Sequence, residues 1–166
     1  MNTPPNVYFQ ETQRFTQWWM WIFALIPAGI GLYGCYVQLY LGIPFGDKPM
    51  SDVGLILFTL LGAGFGGFLG LHKLTTTVSS ATLTVQFFPY THRKISLEDI
   101  EEWSVIPYDF VGGWGVRLWT KYGTVYNVQS GMGLFIIPKN KKRFLVGTQQ
   151  AEALKRAMEN QLKQAV

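Results

Sequence analysis

Val53-Gly54-Leu55-Ile56-Leu57-Phe58-Thr59-Leu60-Leu61-Gly62-Ala63-Gly64-Phe65-Gly66-Gly67-Phe68-Leu69-Gly70-Leu71 is a run of 19 residues without an Asp, Glu, Lys, Arg or His. As a helix rising about 1.5 Å per residue it is roughly 28 Å long, close to the ~30 Å thickness of a bilayer's hydrocarbon core. Upstream, residues 18–41 run for 24 residues with Gln38 the only strongly polar side chain, which as a helix gives roughly 36 Å. A soluble protein would have to bury both helices on every side, and a chain of 166 residues is too short to do so. The composition agrees: 48% of residues are hydrophobic and 14% charged, against about 25% charged in an ordinary soluble domain. The charge is also segregated, since residues 15–46 and 53–71 carry none. The sequence therefore predicts a transmembrane hairpin over residues 18–72, with spans at 18–41 and 53–71.

The flanks fit that reading. Between the runs, Ile43-Pro44-Phe45-Gly46-Asp47-Lys48-Pro49-Met50-Ser51-Asp52 holds two prolines and a glycine, so the helix must stop and the two spans return antiparallel. Ser51 or Asp52 is placed to cap the second helix. Trp18, Trp19 and Trp21 crowd the start of the first span, and Tyr36, Tyr40 and Phe45 lie towards its end. Amphipathic rings at both ends of an apolar run are the expected interfacial belts. Arg14, Lys73, Arg93 and Lys94 fall on the side of the termini and Lys48 alone on the other. The positive-inside rule then places both termini and everything after the second span in the cytoplasm, at the inner or plasma membrane. The first span is too long for a signal peptide and lacks a small-residue cleavage site. Cys35 is the one cysteine, so no disulfide forms within the chain, and it is expected to be a packed thiol.

Gly62, Gly66 and Gly70 recur every four residues and so share a helix face, where another backbone can approach closely. The first span offers a matching stripe of small residues in Ala24, Ala28 and Gly31, continued by Cys35 and Gln38. These glycines and alanines are the expected helix-packing residues. Two uses are open: packing of the hairpin on itself, and association with further copies. No charged residue lies inside either span, which argues against an ion or proton pathway through these helices alone.

After residue 72 the period changes. Residues 74–78 and 82–88 are rich in β-branched and aromatic side chains and are separated by Ser79-Ser80-Ala81, the pattern of a β-hairpin. Further strands are predicted at 93–96, 101–107, 115–120, 125–128, 134–137 and 143–147, divided by Gly-, Pro- and Asn-containing turns. Seven or eight short strands imply an all-β barrel or sandwich. A helix over 149–164 ends the chain, with Thr148 as its cap and Leu154, Met158, Leu162 and Ala165 as a narrow apolar stripe. Lys155, Arg156, Glu159 and Lys163 take its outer face. The predicted organisation is thus an N-terminal cytoplasmic segment (1–17), the membrane hairpin (18–72) and a cytoplasmic β domain (73–166) closed by its helix.

The outline resembles the pleckstrin-homology-like (PH-like) superfold. More closely it is similar to small bacterial membrane proteins of mostly unassigned function, in which a PH-like domain follows two transmembrane helices. The residues that carry the likeness are Phe9-Gln10-Glu11-Thr12-Gln13, Arg93-Lys94-Ile95-Ser96-Leu97-Glu98-Asp99-Ile100, Gly112-Gly113-Trp114-Gly115-Val116-Arg117 and Phe144-Leu145-Val146-Gly147-Thr148-Gln149. The resemblance implies a bacterial source, this architecture and a role in binding or assembly. It carries no catalytic residues to transfer.

Chemistry is sparse in the sequence. His72 and His92 are the only histidines, and no Cys, His or carboxylate cluster has metal-ligand spacing. Gly112, Gly113 and Gly115 lack the G-K-[ST] of a phosphate loop, and no nucleophile elbow accompanies either histidine. The reading is therefore a protein without catalytic, cofactor-binding or metal-binding residues, and no cofactor is expected. Lys139-Asn140-Lys141-Lys142-Arg143 places four positive charges at a predicted hairpin tip, where they serve either solubility or contact with anionic lipid. Nucleic acid is not an expected partner, because residues 72–166 hold twelve basic and seven acidic side chains, a modest excess. The expected partners are membrane lipids, a second copy of the chain in a homo-oligomer, or another membrane or cytoplasmic protein. The expected function is a membrane-anchored interaction and assembly module; an accessory subunit of a larger membrane complex such as a transporter, or an anionic-lipid-binding module, are the alternatives.

Overall fold

The computed structural model describes residues 6–164, which divide into two compact units: residues 16–71, and the residues up to Phe15 together with those from His72 onward.

The first unit is a helical hairpin. Helix α1 (Trp18–Cys35) continues into a π-helical turn (Tyr36–Tyr40), and α2 (Asp52–Leu71) returns beside it. Two stretches, Trp18–Tyr40 and Asp52–Leu71, are long and apolar enough to cross a membrane, and only 22% of each apolar window is buried. The buried residues are Ala24, Ala28, Gly31 and Gly34 on α1 and Leu55, Thr59, Gly62 and Gly66 on α2. Small residues on both sides let the backbones approach. Leucines, isoleucines and phenylalanines such as Phe23, Leu32, Leu60, Leu61 and Phe65 point away from the partner helix and stay exposed.

At the turn of the hairpin, Gln38 does the work that the prolines and glycine cannot. Its Nε2 donates to the Met50 carbonyl at 2.8 Å and to Asp52 Oδ1 at 2.7 Å, while its Oε1 accepts from the Phe45 amide at 3.3 Å. Ser51 begins α2, its Oγ accepting from the Gly54 amide at 3.2 Å, so an otherwise orphaned amide of the first turn is satisfied. Within the interface Thr59 Oγ1 donates to the Leu55 carbonyl at 2.8 Å and lies 3.4 Å from Cys35 Sγ. Cys35 itself is partly buried.

The second unit contains nine strands in two sheets, among the described residues. One sheet is antiparallel in the order β1 (Val7–Arg14), β2 (Lys73–Ser79), β3 (Thr82–Phe88) and β4 (Thr91–Ser96). The other comprises β5 (Ile100–Tyr108), β6 (Gly115–Thr120), β7 (Gly123–Asn127), β8 (Gly131–Pro138) and β9 (Phe144–Thr148), ordered β5-β8-β9-β7-β6. Every predicted strand after residue 72 has its counterpart here. Only β7 and β9 pair in parallel.

One expectation needs correction. Residues 7–14 are not a segment apart from the domain: β1 pairs with β2 from Val7↔Ser79 to Arg14↔Lys73. The strand escaped notice because its buried face is Phe9, Glu11 and Gln13, which shows no apolar alternation. Of the barrel and the sandwich that the sequence left open, the sheets do not close into the barrel. They remain two separate hydrogen-bonded sheets that share one core, built from Leu74, Val85 and Phe87 of the first and Leu134, Phe144 and Val146 of the second.

Strand β9 meets side chains from both edges of the first sheet. At the start of β9 the Arg93 guanidinium of β4 lies 3.9 Å from the Phe144 ring centroid. Near its end the Gly147 carbonyl accepts from Gln13 Nε2 of β1 at 2.8 Å. Helix α3 (Ala151–Gln164) packs on β1, β2, β5 and β8, with Leu154, Ala157, Met158 and Gln161 buried and Leu162 partly so. The helix begins two residues later than the sequence implied, and Thr148 Oγ1 accepts from the Gln150 amide at 3.0 Å just ahead of it. Ala165 lies outside the described residues.

Candidate functional site

Three features of the chain bear on function: the helix interface, the basic tip, and an exposed apolar edge that the sequence did not single out.

At the helix interface the glycines differ in how tightly they are held. A Cβ at Gly62 would stand 2.8 Å from the Ala28 amide nitrogen and 3.1 Å from the Pro27 carbonyl carbon. At Gly66 it would meet Leu25 Cδ2 at 3.5 Å, and at Gly70 the Trp21 ring at 3.4 Å. Gly31 is pressed against Thr59. Ala24 and Ala28 complete the surface on α1. The Gly62, Gly66 and Gly70 face is therefore filled from within the same chain, whereas Gly29, Gly64 and Gly67 have open space above them.

Lys139, Lys141, Lys142 and Arg143 all lie exposed on the turn between β8 and β9. The turn is anchored at both ends, by the Lys139 amide donating to the Asp99 carbonyl at 2.9 Å and by Arg93 donating to the Lys142 carbonyl at 2.9 Å. Lys142 and Arg143 line an open groove of about 440 Å³ together with Leu118, Trp119, Gly123 and Thr124. Lys139 and Lys141 stand outside it. Gly123, at φ +84°, allows the close approach, because any Cβ there would overlap the Arg143 carbonyl.

The far wall of this groove is the unanticipated part. Along β6 the pairing with β7 slips between Arg117 and Thr120, and Trp119 takes φ +56°. Left-handed backbone costs an L residue roughly 1–2 kcal/mol. Here it turns two consecutive apolar side chains outward, Leu118 at 53% and Trp119 at 93% exposure. A regular strand would have sent one of them inward. The one available signal in the sequence was the adjacency of Leu118 and Trp119 in a strand that otherwise alternates.

Aromatic residues also gather where the chain leaves the β domain. His72 Nε2 and Tyr90 Oη are 2.7 Å apart. The His72 and Phe87 rings lie 6.2 Å apart at centroid, and each has the Phe15 and Tyr90 rings within 5.1 to 6.4 Å. The start of β6 belongs to this end of the domain, since a Cβ at Gly115 would touch Phe87 Cζ at 4.0 Å and Phe87 pairs with Leu74 beside the exit. Among the described residues no group of three or more His, Cys, Asp or Glu is placed to hold a metal. The shifted titration lies elsewhere: burial pushes the Tyr108 phenol up, with the Asn127 amide partly offsetting it.

No known family model and no curated protein matches the chain.

Proposed function

We propose that the chain is a membrane-anchored interaction module whose helical hairpin spans the bilayer and whose β domain works by binding at the cytoplasmic face. Anchorage is carried by one observation: helices of membrane-spanning length keep 78% of their apolar windows unburied, the complement of the 22% enclosed. Side chains such as Phe23, Leu61 and Phe65 are more than half exposed, and a hydrocarbon phase supplies the missing partner. A soluble core helix would show the opposite balance. The hairpin is inserted between two strands that pair with each other through Arg14↔Lys73, so the β domain is tethered by two crossings of the chain and not by one.

Orientation follows from Arg14, Lys73 and the basic residues beyond them. Two sheets on one core with a C-terminal helix packed on them favour the PH-like reading of the β domain, and with it binding over catalysis. The experiment is accessibility labelling of single cysteines in intact cells, in a Cys35→Ala background. A cysteine at Asp47 is expected to react with an impermeant reagent from outside, and one at Lys155 only after permeabilisation. Labelling of Lys155→Cys in intact cells reverses the orientation. Recovery of the protein in the soluble fraction after lysis removes the anchor altogether.

A further inference from the structure

We propose that the edge strand β6 is a lipid-contact surface, in which Trp119 and Leu118 enter the headgroup layer of an anionic leaflet while Lys121, Lys142 and Arg143 face its phosphates. This rests on the reading of the hairpin as a membrane anchor and adds the second point at which the chain meets the bilayer.

Reach comes first. Only Phe15, Thr16 and Gln17 separate β1 from α1, and His72 alone separates α2 from β2. Three residues extend at most about 10 Å, and the headgroup layer adds roughly 5–8 Å to each side of the hydrocarbon core. The end of the β domain from which the chain leaves is therefore held at headgroup level. The start of β6 is at that end, beside Phe87.

Chemistry comes second. β6 is the last strand of its sheet and has a neighbour on one side only. Exposed edges invite unwanted pairing, and here the slip after Arg117 and the positive φ of Trp119 spoil the edge for strand addition. What they present is an indole at 93% exposure next to a leucine at 53%. Indole prefers the bilayer interface, where its apolar face is covered and its N–H stays solvated. A water-facing role leaves both side chains uncovered. The groove beside them is lined by Lys142 and Arg143 with no acidic residue, and Lys121 follows two residues after Trp119. Basic residues within a Debye length of an anionic leaflet each add attraction. Lys139 and Lys141, outside the groove, contribute less in this arrangement than the sequence alone implied.

The test uses the full chain in nanodiscs, with Cys35→Ala and one introduced cysteine carrying an environment-sensitive fluorophore. Quenching is measured with lipids spin-labelled either at the headgroup or deep in the acyl chain. A label at Leu118→Cys, which keeps Trp119, is expected to be quenched several-fold more by headgroup spin labels than one at Lys155→Cys. That excess should shrink in purely zwitterionic nanodiscs and in the K121Q/K142Q/R143Q variant. Equal quenching at the two positions, or an excess indifferent to lipid charge, overturns the proposal and leaves the edge to a protein partner or to water. A label at Phe65→Cys keeps the two readings apart. If deep spin labels quench Phe65→Cys while Leu118→Cys behaves like Lys155→Cys, the anchor stands and this inference fails. If Phe65→Cys is not quenched, the anchor itself is wrong.

Discussion

The carboxylate of Glu11 accepts a hydrogen bond of 2.6 Å from Thr148 Oγ1, across 137 residues of chain. Its second oxygen accepts from the Gln149 amide at 2.8 Å, and Glu11 is only 4% exposed. Two residues further along the same strand, Gln13 secures the Gly147 carbonyl. The strand that precedes the hairpin thus holds the segment that leads into the last helix. The β domain is completed only when both sides of the insertion have come together.

Replacing Glu11 with alanine leaves the Thr148 hydroxyl and the Gln149 amide without their acceptor inside the protein. Loss of a buried hydrogen-bond partner costs about 1–3 kcal/mol per stranded group, more where the partner is charged. Glu11→Ala should therefore lower unfolding stability by at least about 2 kcal/mol. Glu11→Gln, which keeps one acceptor oxygen, should cost less, and Gln10→Ala on the exposed face almost nothing. Denaturant unfolding of the three variants in detergent checks the order, and equal stability of all three would show that the Glu11 contact carries no weight.

What the sequence revealed and what it hid have a common cause. The two apolar helices were legible because an uninterrupted apolar run is a signal that needs no tertiary context. Strands β2 to β9 were legible because β-branched and aromatic residues alternate between turn residues. β1 was not, because Glu11 and Gln13 occupy its inward face, and their burial makes sense only once Thr148, Gln149 and Gly147 are in place to meet them. Trp119 was hidden for a similar reason. Its exposure depends on a slip in the pairing of β6 with β7, which no periodicity reports. Of the basic tip, the sequence located the charges, while the division into Lys142 and Arg143 beside Trp119 and Lys139 and Lys141 apart from it required the fold. The stripe on α3 was nearly right, and the structure adds Ala157 and Gln161 to the buried set.

Helix α3 allows a graded prediction. Leu154 and Met158 are fully buried, Leu162 only partly. Truncating a buried leucine or methionine to alanine costs roughly 2–5 kcal/mol, so Leu154→Ala and Met158→Ala should fall in that range and Leu162→Ala below it. Lys155→Ala and Lys163→Ala, both exposed, should change stability by less than about 0.5 kcal/mol. Equal small effects at all five positions in a thermal melt would mean that the helix is not docked.

Tyr108 supplies a dependence on pH. Its phenol is buried, donates to the Gln129 carbonyl, and titrates above the usual tyrosine value of 10.0 because burial disfavours the charged form. The folded state then holds its proton through a range in which the unfolded chain has already lost it. The contribution is complete below pH 10.0 and is lost as pH rises from there towards the raised value. Tyr108→Phe should flatten the alkaline fall in stability, while lowering stability at neutral pH because the Gln129 carbonyl loses its donor. Unfolding midpoints at about pH 8 and pH 11 read both effects, and an alkaline slope unchanged by the substitution would assign it to other groups.

The helix interface yields the last prediction, because its glycines are not equivalent. Alanine in place of glycine favours a helix by about 1 kcal/mol wherever the new methyl group has room. At Gly64 nothing stands within 4 Å of the added Cβ, and at Gly66 its nearest neighbour is a leucine methyl at 3.5 Å. Both substitutions should be neutral or stabilising. At Gly62 the Cβ would stand 2.8 Å from the Ala28 amide nitrogen, and a backbone atom yields only if the helices separate. Overpacking of that kind costs about 1–3 kcal/mol, enough to outweigh the gain in propensity. Gly62→Ala should therefore be the destabilising member of the series, and Gly66→Leu should join it by displacing Leu25. Thermal unfolding in detergent, with mass measured in parallel, separates these cases. If Gly62→Ala and Gly64→Ala melt alike, α1 and α2 do not meet at Gly62. If Gly62→Ala changes the mass of the particle rather than its melting temperature, the glycine face joins separate chains.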